Sequence, residues 1–299
     1  MGAVSDAFQT ANTLPNTIFM LLQSGVLTAV LMPQLTRALR REGDGKAMTD
    51  ALLTAIFALV GVVTVVAMAC ADPLVTLMGL RGPAHALGVA FAYWCLPQIF
   101  FYALYAVLSQ VLNVRDRFGL VMWTPAFANL VQIAGMGVFL ALFTRGAPPQ
   151  EWSPLMVGVL AGSATLGIVV QALPLAFALP RAGYRWRPTW RLRGYGFRAA
   201  GKVAVWMGVA VVIAQLGGVA TQAAINVVAG RARAAGEIVA GLFVYQQAFT
   251  IFMVPHGVIT VSILTALLPR MTRAVQEGDV GALRGDLDRG LALPLVTMV

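Results

Sequence analysis

Long runs free of charged residues recur along this chain, and they constrain its fold more than any other feature. Seven of them extend for about twenty residues or more, the length that an α-helix needs to cross the hydrocarbon core of a bilayer. Only 11% of the 299 residues are charged, whereas about 25% are charged in an ordinary soluble domain. The sequence therefore predicts an all-α integral membrane protein.

The seven predicted spans are named A to G in chain order. They cover Ala7–Thr36 (A), Ala51–Ala71 (B), Ala86–Val114 (C), Leu120–Thr144 (D), Pro154–Pro180 (E), Val203–Gly230 (F) and Ile238–Leu268 (G). A last apolar run, Gly290–Val299, is too short to cross a hydrocarbon core of about 30 Å. We therefore expect the chain to be cut at its C-terminal end.

Loops rich and poor in lysine and arginine alternate along the chain. The A–B, C–D and E–F loops and the segment after span G hold four, two, seven and four of these cations, whereas the B–C, D–E and F–G loops hold one, one and two. Because cytoplasmic loops carry the excess of positive charge, the N-terminus is predicted to lie outside and the rich loops in the cytoplasm. The net charge of +9 thus indicates orientation and anionic lipid rather than nucleic acid.

The segment between spans E and F, residues 181–202, mixes seven cations with five aromatic residues. Aromatic rings favour the membrane interface and cations favour anionic headgroups. We therefore interpret it as a linker lying on the cytoplasmic surface, with a plain positively charged loop as the alternative. The residues expected to contact lipid are Arg185, Arg187, Arg191 and Arg193.

Two distant stretches of the chain are similar. Residues 33–38 read Pro-Gln-Leu-Thr-Arg-Ala, and residues 269–274 read Pro-Arg-Met-Thr-Arg-Ala. Matches this short leave chance as an alternative, but spans A and G run in the same direction and are six spans apart, as in a parallel six-helix repeat. We therefore expect a helix missing before span A, the remainder of an N-terminal lobe at 1–180, the linker at 181–202 and the start of a second lobe at 203–299.

Amide and hydroxyl side chains take the place of charges inside the spans. Hydrogen bonding between helices is the plain explanation for each of them. In span A, however, spacings of three, four and seven residues put the amides on one face, and span G carries a matching group. We hypothesise that these faces line a polar substrate cavity between the lobes, formed by Gln9, Asn12, Asn16, Gln23, Ser24, Gln246, Gln247 and Thr250.

Three polar residues of spans F and G are candidates for coupling transport to an ion: Gln222, Asn226 and His256. His256 follows Pro255, so a helix kink with a hydrogen-bonded imidazole is the plainer alternative. No metal or cofactor is expected, because the two cysteines lack metal-site spacing and the 12 acidic residues form no DDxxD-type pair. Coupling to Na⁺, H⁺ or the membrane potential stays open, and an enzyme is disfavoured.

A set of short motifs runs in order along the whole chain: Asp6-Ala7-Phe8, Leu14-Pro15-Asn16, Gly25, Leu112-Asn113, Arg117-Phe118, Pro125, Asn129 and Leu267-Leu268-Pro269. This ordered set resembles the MviN/MurJ family, the lipid II flippases of the multidrug/oligosaccharidyl-lipid/polysaccharide exporter superfamily. The resemblance implies a partial two-lobe helical bundle in the bacterial inner membrane. It also implies alternating access, in which the lipid-linked disaccharide-pentapeptide precursor of peptidoglycan passes from the inner to the outer leaflet.

The partners implied by the resemblance are lipid II or a related polyprenyl-pyrophosphate-linked saccharide, anionic lipids and cell-wall synthesis proteins, and no nucleic acid. The sequence departs from the family where arginines would hold the pyrophosphate. Phe19 and Met20 replace an Arg-Arg pair, Ser24 replaces a glutamate, and an arginine is lacking near Thr250. This variant pattern looks like actinobacterial members. A membrane scaffold without transport, and an exporter of another lipid-linked saccharide or a drug, stay open as alternatives.

Overall fold

The computed structural model describes residues 2–23, 45–143, 148–190, 197–277 and 279–298. Their helices are α1 Ala3–Leu22, α2 Gly45–Ala69, α3 Ala71–Leu77, α4 Pro83–Cys95, α5 Gln98–Val114, α6 Phe118–Leu142, α7 Pro154–Arg181, α8 Phe197–Ala234, α9 Leu242–Glu277 and α10 Val280–Met298. A short 3₁₀ turn, Pro149–Glu151, precedes α7. The helices form two compact units, Met1–Gly241 and Leu242–Val299.

Five helical segments of the described residues are long and apolar enough to cross a membrane: Gly45–Ala69, Pro83–Val114, Phe118–Leu142, Pro154–Arg181 and Val209–Ala234. They correspond to predicted spans B to F and confirm an all-α, multi-pass membrane fold. Span A is described only to Gln23, chiefly as α1, and span G lies for the most part in α9, whose first apolar stretch is Leu242–Pro255. The rest of span A lies outside the described residues.

Span C is divided at Pro97, where α4 ends and α5 begins. Proline has no N–H to donate and its ring clashes with the preceding turn, so a helix breaks or bends there. The chain still continues in helical turns across the break, since the N–H of Leu96 bonds to the carbonyl of Ala92 at 2.8 Å and that of Ile99 to Leu96 at 3.1 Å. α4 and α5 therefore form one span, Pro83–Val114, that is interrupted at Pro97.

The core of the first unit lies where α1 packs against α4 and α5, and where α5 packs against α2 and α7. Phe91 of α4 is fully buried there, and its ring makes edge contacts with Phe8 and Trp152. Leu52 of α2 and Ile99 of α5 are also fully buried. Because lipid tails are as apolar as these side chains, the core is held by close packing rather than by exclusion of water.

Small residues allow α6 and α7 to lie along each other. A Cβ atom at Gly135 would collide with Ser163, and one at Gly167 would come within 2.8 Å of Gln132. Close approach through small residues is the usual packing device between membrane helices. The other side of α6 exposes large apolar side chains such as Met122 and Ile133, and this face suits contact with lipid.

The second unit consists of α9 and α10, which pack against each other. Arg270 of α9 and Asp286 of α10 form an ion pair at 3.3 Å. The carboxylate of Asp279 accepts the N–H of Ala282 at 2.9 Å and thereby caps the start of α10. The last apolar run belongs to this helix, which begins at Val280. The division of the chain into lobes stays a prediction.

Candidate functional site

An ion pair joins the start of α1 to the end of α8. Asp6 lies in the first turn of α1 and is 2% exposed. Its carboxylate pairs with the guanidinium of Arg233 in the last turn of α8. Both helix ends lie on the side predicted to be outside. Separating these buried charges requires each of them to be solvated or paired again, so the contact resists opening.

The amide of Asn226 forms a second link between these helices. Its Nδ2 donates to the hydroxyl of Thr10 at 3.0 Å and to the carbonyl of Met78 at 2.8 Å. Asn226 is 5% exposed, so water does not replace these bonds easily. We name Asp6, Thr10, Asn226 and Arg233 the outer latch.

The turn between α3 and α4 supports the latch. Gly79 has a φ of 82°, which favours glycine, and a Cβ atom there would collide with the backbone of Ala223 on α8. Further from the outer end, Nε2 of Gln215 donates to the carbonyl of Thr17 at 3.2 Å. Thr17 lies about 10 Å along α1 from Thr10. The contact between α1 and α8 thus extends inward from the latch.

The buried Gln98 forms a hydrogen bond with Asn12, one of the residues on the predicted polar face of α1. Gln98 of α5 is 1% exposed, and its Nε2 donates to Asn12 at 3.2 Å and to Thr165 at 3.0 Å. The hydroxyl of Tyr102 donates to the other end of the same amide at 3.2 Å. Asn12 therefore contributes to packing between α1, α5 and α7.

Among the other amides on this face, only Asn16 is more accessible than the half-buried Asn12. Asn16 is exposed, while Gln9 and Gln23 are half-buried. Gln9 reaches only Thr13 of its own helix, at 3.4 Å, among the described contacts. Asn16 is consequently the most exposed of the described residues predicted on α1 to line the cavity.

The cavity residues predicted on span G belong to the second unit. Gln246 is half-buried, Gln247 and Thr250 are exposed, and the hydroxyl of Thr250 donates to the carbonyl of Gln246 at 2.8 Å. Ser24 lies outside the described residues. A shared cavity between spans A and G stays a prediction.

The remaining predicted residues are scattered along the chain. Gln222 is buried one turn before Asn226 on α8, and Pro15 is buried within α1. Asn113 is half-buried, whereas Arg117 and Asn129 are exposed. Gly25 and the side chains of His256 and Pro269 lie outside the described residues.

The position where the family resemblance leads one to expect an arginine is occupied by a packed aromatic ring. Phe19 is 7% exposed and stacks on Tyr102, with ring centroids 5.6 Å apart. Met20 is 46% exposed. An arginine side chain at position 19 would have to leave this core, so position 19 presents a packed ring and no cation.

The linker begins as a non-helical strap, residues 184–190, against the ends of α2 and α5 that are predicted to be cytoplasmic. Asp50 of α2 anchors it: Oδ1 accepts the hydroxyl of Tyr184 at 2.6 Å and the N–H of Arg187 at 3.2 Å. Lys46 pairs with Oδ2 at 2.9 Å. Further along, the N–H of Thr189 donates to the hydroxyl of Thr54 at 3.1 Å.

The anchored tyrosine keeps its proton. Burial, together with the hydrogen bond to Asp50, raises the pKa of Tyr184 above its ordinary value. Arg115 lies over its ring at 5.2 Å and donates to the carbonyl of Ala182 at 3.0 Å. The side chains of Arg185 and Arg187 are exposed, as contact with lipid headgroups requires, while Arg191 and Arg193 lie outside the described residues.

The sequence did not reveal which residues pair in the outer latch or which residues anchor the strap. Asp6 and Arg233 carry opposite charges at the outer ends of predicted spans, which was an available signal. The same holds for Asp50, an acid at the end of predicted span B that faces the cytoplasm. Thr10 and Tyr184 carried no signal, because hydroxyl groups are common at such positions.

The family model of the lipid II flippase MurJ matches residues 1–299. The chain belongs to the MurJ family. A "Probable lipid II flippase MurJ" of Rhizobium tropici is 28% identical over 93% of this chain and 50% of its own length. One of Haemophilus influenzae is 25% identical over 93% of this chain and 54% of its own length. The "Lipid II flippase MurJ" of Burkholderia cenocepacia is 30% identical over 52% of this chain and 31% of its own length.

The chain spans about half the length of the curated MurJ relatives that it matches over most of its own length. The MurJ family and the long apolar helices place it in the bacterial inner membrane as a multi-pass protein. The relatives are named as flippases, which are transporters rather than enzymes. The resemblance seen in the short motifs is thereby confirmed.

Proposed function

We propose that the protein containing this chain flips lipid II from the inner to the outer leaflet by alternating access. The outer latch carries the proposal. It joins α1 of the predicted first lobe to α8 of the predicted second lobe on the side where the substrate must leave. Alternating access needs such a closure, held by contacts that separate as rigid elements move.

The substrate assignment comes from the MurJ family together with the chemistry of α1. The saccharide of lipid II presents hydroxyl groups, and the amides of Asn16 and Gln23 offer both donors and acceptors to them. The pyrophosphate needs cations or N–H donors. Because Phe19 is packed into the core, we assign that task to amides or to residues outside the described part of the chain.

Two finer features belong to the same proposal. The exposed Arg185 and Arg187 contact anionic lipid, which holds the strap at the cytoplasmic surface. For coupling to Na⁺, H⁺ or the membrane potential we favour Gln222, one turn before the latch residue Asn226 on α8. Its amide oxygen is buried and has no hydrogen-bond partner among the described residues.

A membrane scaffold for cell-wall synthesis is the second candidate. The observation that favours it is the stack of Phe19 on Tyr102, which removes a cation that the family resemblance assigns to pyrophosphate. A scaffold needs no moving latch, so a test of latch movement separates the two functions.

The decisive experiment depletes the chromosomal gene and quantifies lipid II in each leaflet after the full-length gene product is restored. Thr10→Cys and Asn226→Cys place thiols where the two side chains now bond, in a Cys70→Ser background that removes the exposed native thiol. We expect oxidation to hold the latch closed and block export, and a reductant to restore it. The single-cysteine variants are the controls.

Export that continues with the latch cross-linked would overturn alternating access through this contact. An unchanged leaflet distribution of lipid II on depletion would overturn the flippase itself and favour the scaffold. Accumulation of a different lipid-linked saccharide in the inner leaflet would instead identify an exporter of that compound.

A further inference from the structure

A cavity of about 740 Å³ lies beside the outer latch, within the first unit. Its walls come from the start of α1, the turn between α3 and α4, the 3₁₀ turn and the last turns of α8. Ligand sites for small molecules have volumes of about 300–1,000 Å³. The cavity is therefore large enough for part of a saccharide-peptide head group.

The charged side chains lining this cavity are all cationic: Arg81, Arg231 and Arg233. Arg233 is paired with Asp6, whereas Arg81 and Arg231 are exposed and have no carboxylate partner in the described part of the chain. The 13-residue helix α4 also begins at the cavity wall, where Pro83 and Ala84 line it. The positive end of its dipole adds to the attraction for an anion.

The remaining lining is small and mostly apolar. Ala3, Leu80 and Val227 provide apolar contact, and Gly82 and Gly230 have open space where a Cβ atom would stand. An inorganic anion gains nothing from such walls. A short peptide with a free carboxylate and small apolar side chains gains from both the cations and the apolar surface.

We propose that this cavity binds the carboxylate-bearing peptide of the exported head group on the outer side of the membrane. The inference rests on the proposed function for the identity of the ligand, and it adds a second site, separate from the polar cavity predicted from the amides of spans A and G. Arginine binds carboxylates through two parallel N–H donors, so Arg81 and Arg231 are the specific contacts.

The test measures binding of water-soluble N-acetylmuramyl-pentapeptide to the full-length gene product in phosphatidylcholine nanodiscs by calorimetry. We expect Arg81→Gln with Arg231→Gln to raise the Kd about tenfold or more. Arg284→Gln, which removes an exposed cation of the second unit, is the matched control and leaves the Kd unchanged. A peptide with amidated carboxyl groups binds the wild type as weakly as the free peptide binds the double variant.

Equal Kd values for the wild type and the double variant, or for the free and amidated peptides, overturn the proposal. Inorganic phosphate or phosphatidylglycerol competing as well as the free peptide overturns it too, since the site would then take any anion. The binding assay involves no transport. If the protein binds the peptide but leaves lipid II in the inner leaflet, the proposed function is contradicted while the proposed binding site is supported.

Discussion

Asp6 and Arg233 are 227 residues apart in the sequence and form one ion pair at the outer end of the first unit. The carboxylate is almost fully buried, and the guanidinium is 24% exposed. Gly241 lies so close that a side chain there would collide with the pair. The outer closure between α1 and α8 therefore depends on two charges that stabilise each other and have little access to water.

Removal of one charge should destabilise the protein more than exchange of both. We expect Asp6→Asn to lower the free energy of unfolding by about 3 kcal/mol, because an unpaired charge stays buried. The exchange Asp6→Arg with Arg233→Asp restores part of this loss. Thermal unfolding of the full-length protein in detergent measures both, and a single variant as stable as the wild type would contradict the account.

The turn at Gly79 should tolerate no side chain. Gly79→Ala faces both a positive φ and a collision with the backbone of Ala223, so we expect a loss of about 1–3 kcal/mol in the free energy of unfolding. Gly236→Ala is the matched control, since its φ of 82° equals that of Gly79 but its Cβ meets open space. Equal melting temperatures for the two variants would show that the close approach contributes nothing.

The strap should detach when its anchor is removed. Asp50→Ala deletes the acceptor for Tyr184, Arg187 and Lys46, and hydrogen bonds to a charged group contribute about 1.5–3 kcal/mol each. We expect tryptic cleavage after Arg185 to become at least about tenfold faster, since cleavage follows the population of the open strap.

Asp116→Asn removes another acid on the cytoplasmic side and is the control for the strap experiment. Tyr184→Phe should give an intermediate rate, because only one of the bonds is lost. Because the pKa of Tyr184 is raised in the folded protein, its contribution is complete below the ordinary value of 10.0 and is lost only at a higher pH. A wild-type cleavage rate that rises relative to that of Tyr184→Phe between pH 7 and 9 would conflict with this.

Cysteine labelling should distinguish the amides of α1. In the Cys70→Ser background we expect Asn16→Cys to react with a membrane-impermeant thiol reagent faster than Asn12→Cys, which lies against the buried Gln98. Ala11→Cys on the buried face is the unreactive reference. Labelling of Asn16→Cys no faster than that of the reference would remove Asn16 from the substrate cavity.

The helices could be predicted from the sequence because the signal is local. Apolar runs bounded by cations gave spans B to F. Pro97 was visible as an interruption of span C. Each of these features depends on neighbouring residues only, and the bilayer imposes the same length on every crossing.

The pairing of side chains could not be predicted, because it depends on residues far apart in the chain. Gln98 bonds to Asn12 and Thr165, which lie 86 and 67 residues away. Helical spacing grouped Asn12 with Asn16, yet one lies against α5 and the other is exposed. Spacing fixes which residues share a face, while only packing decides what that face meets.

The close approach of Gly79 to Ala223 gives α8 a fulcrum. About 11 residues of the helix, or about 16 Å, lie beyond this point on the outer side, and about 26 residues, or about 39 Å, lie on the inner side. Any tilt of α8 about this contact moves its inner end more than twice as far as its outer end. A small displacement of the end of α8 predicted to be outside is thus accompanied by a larger displacement of the end predicted to be cytoplasmic.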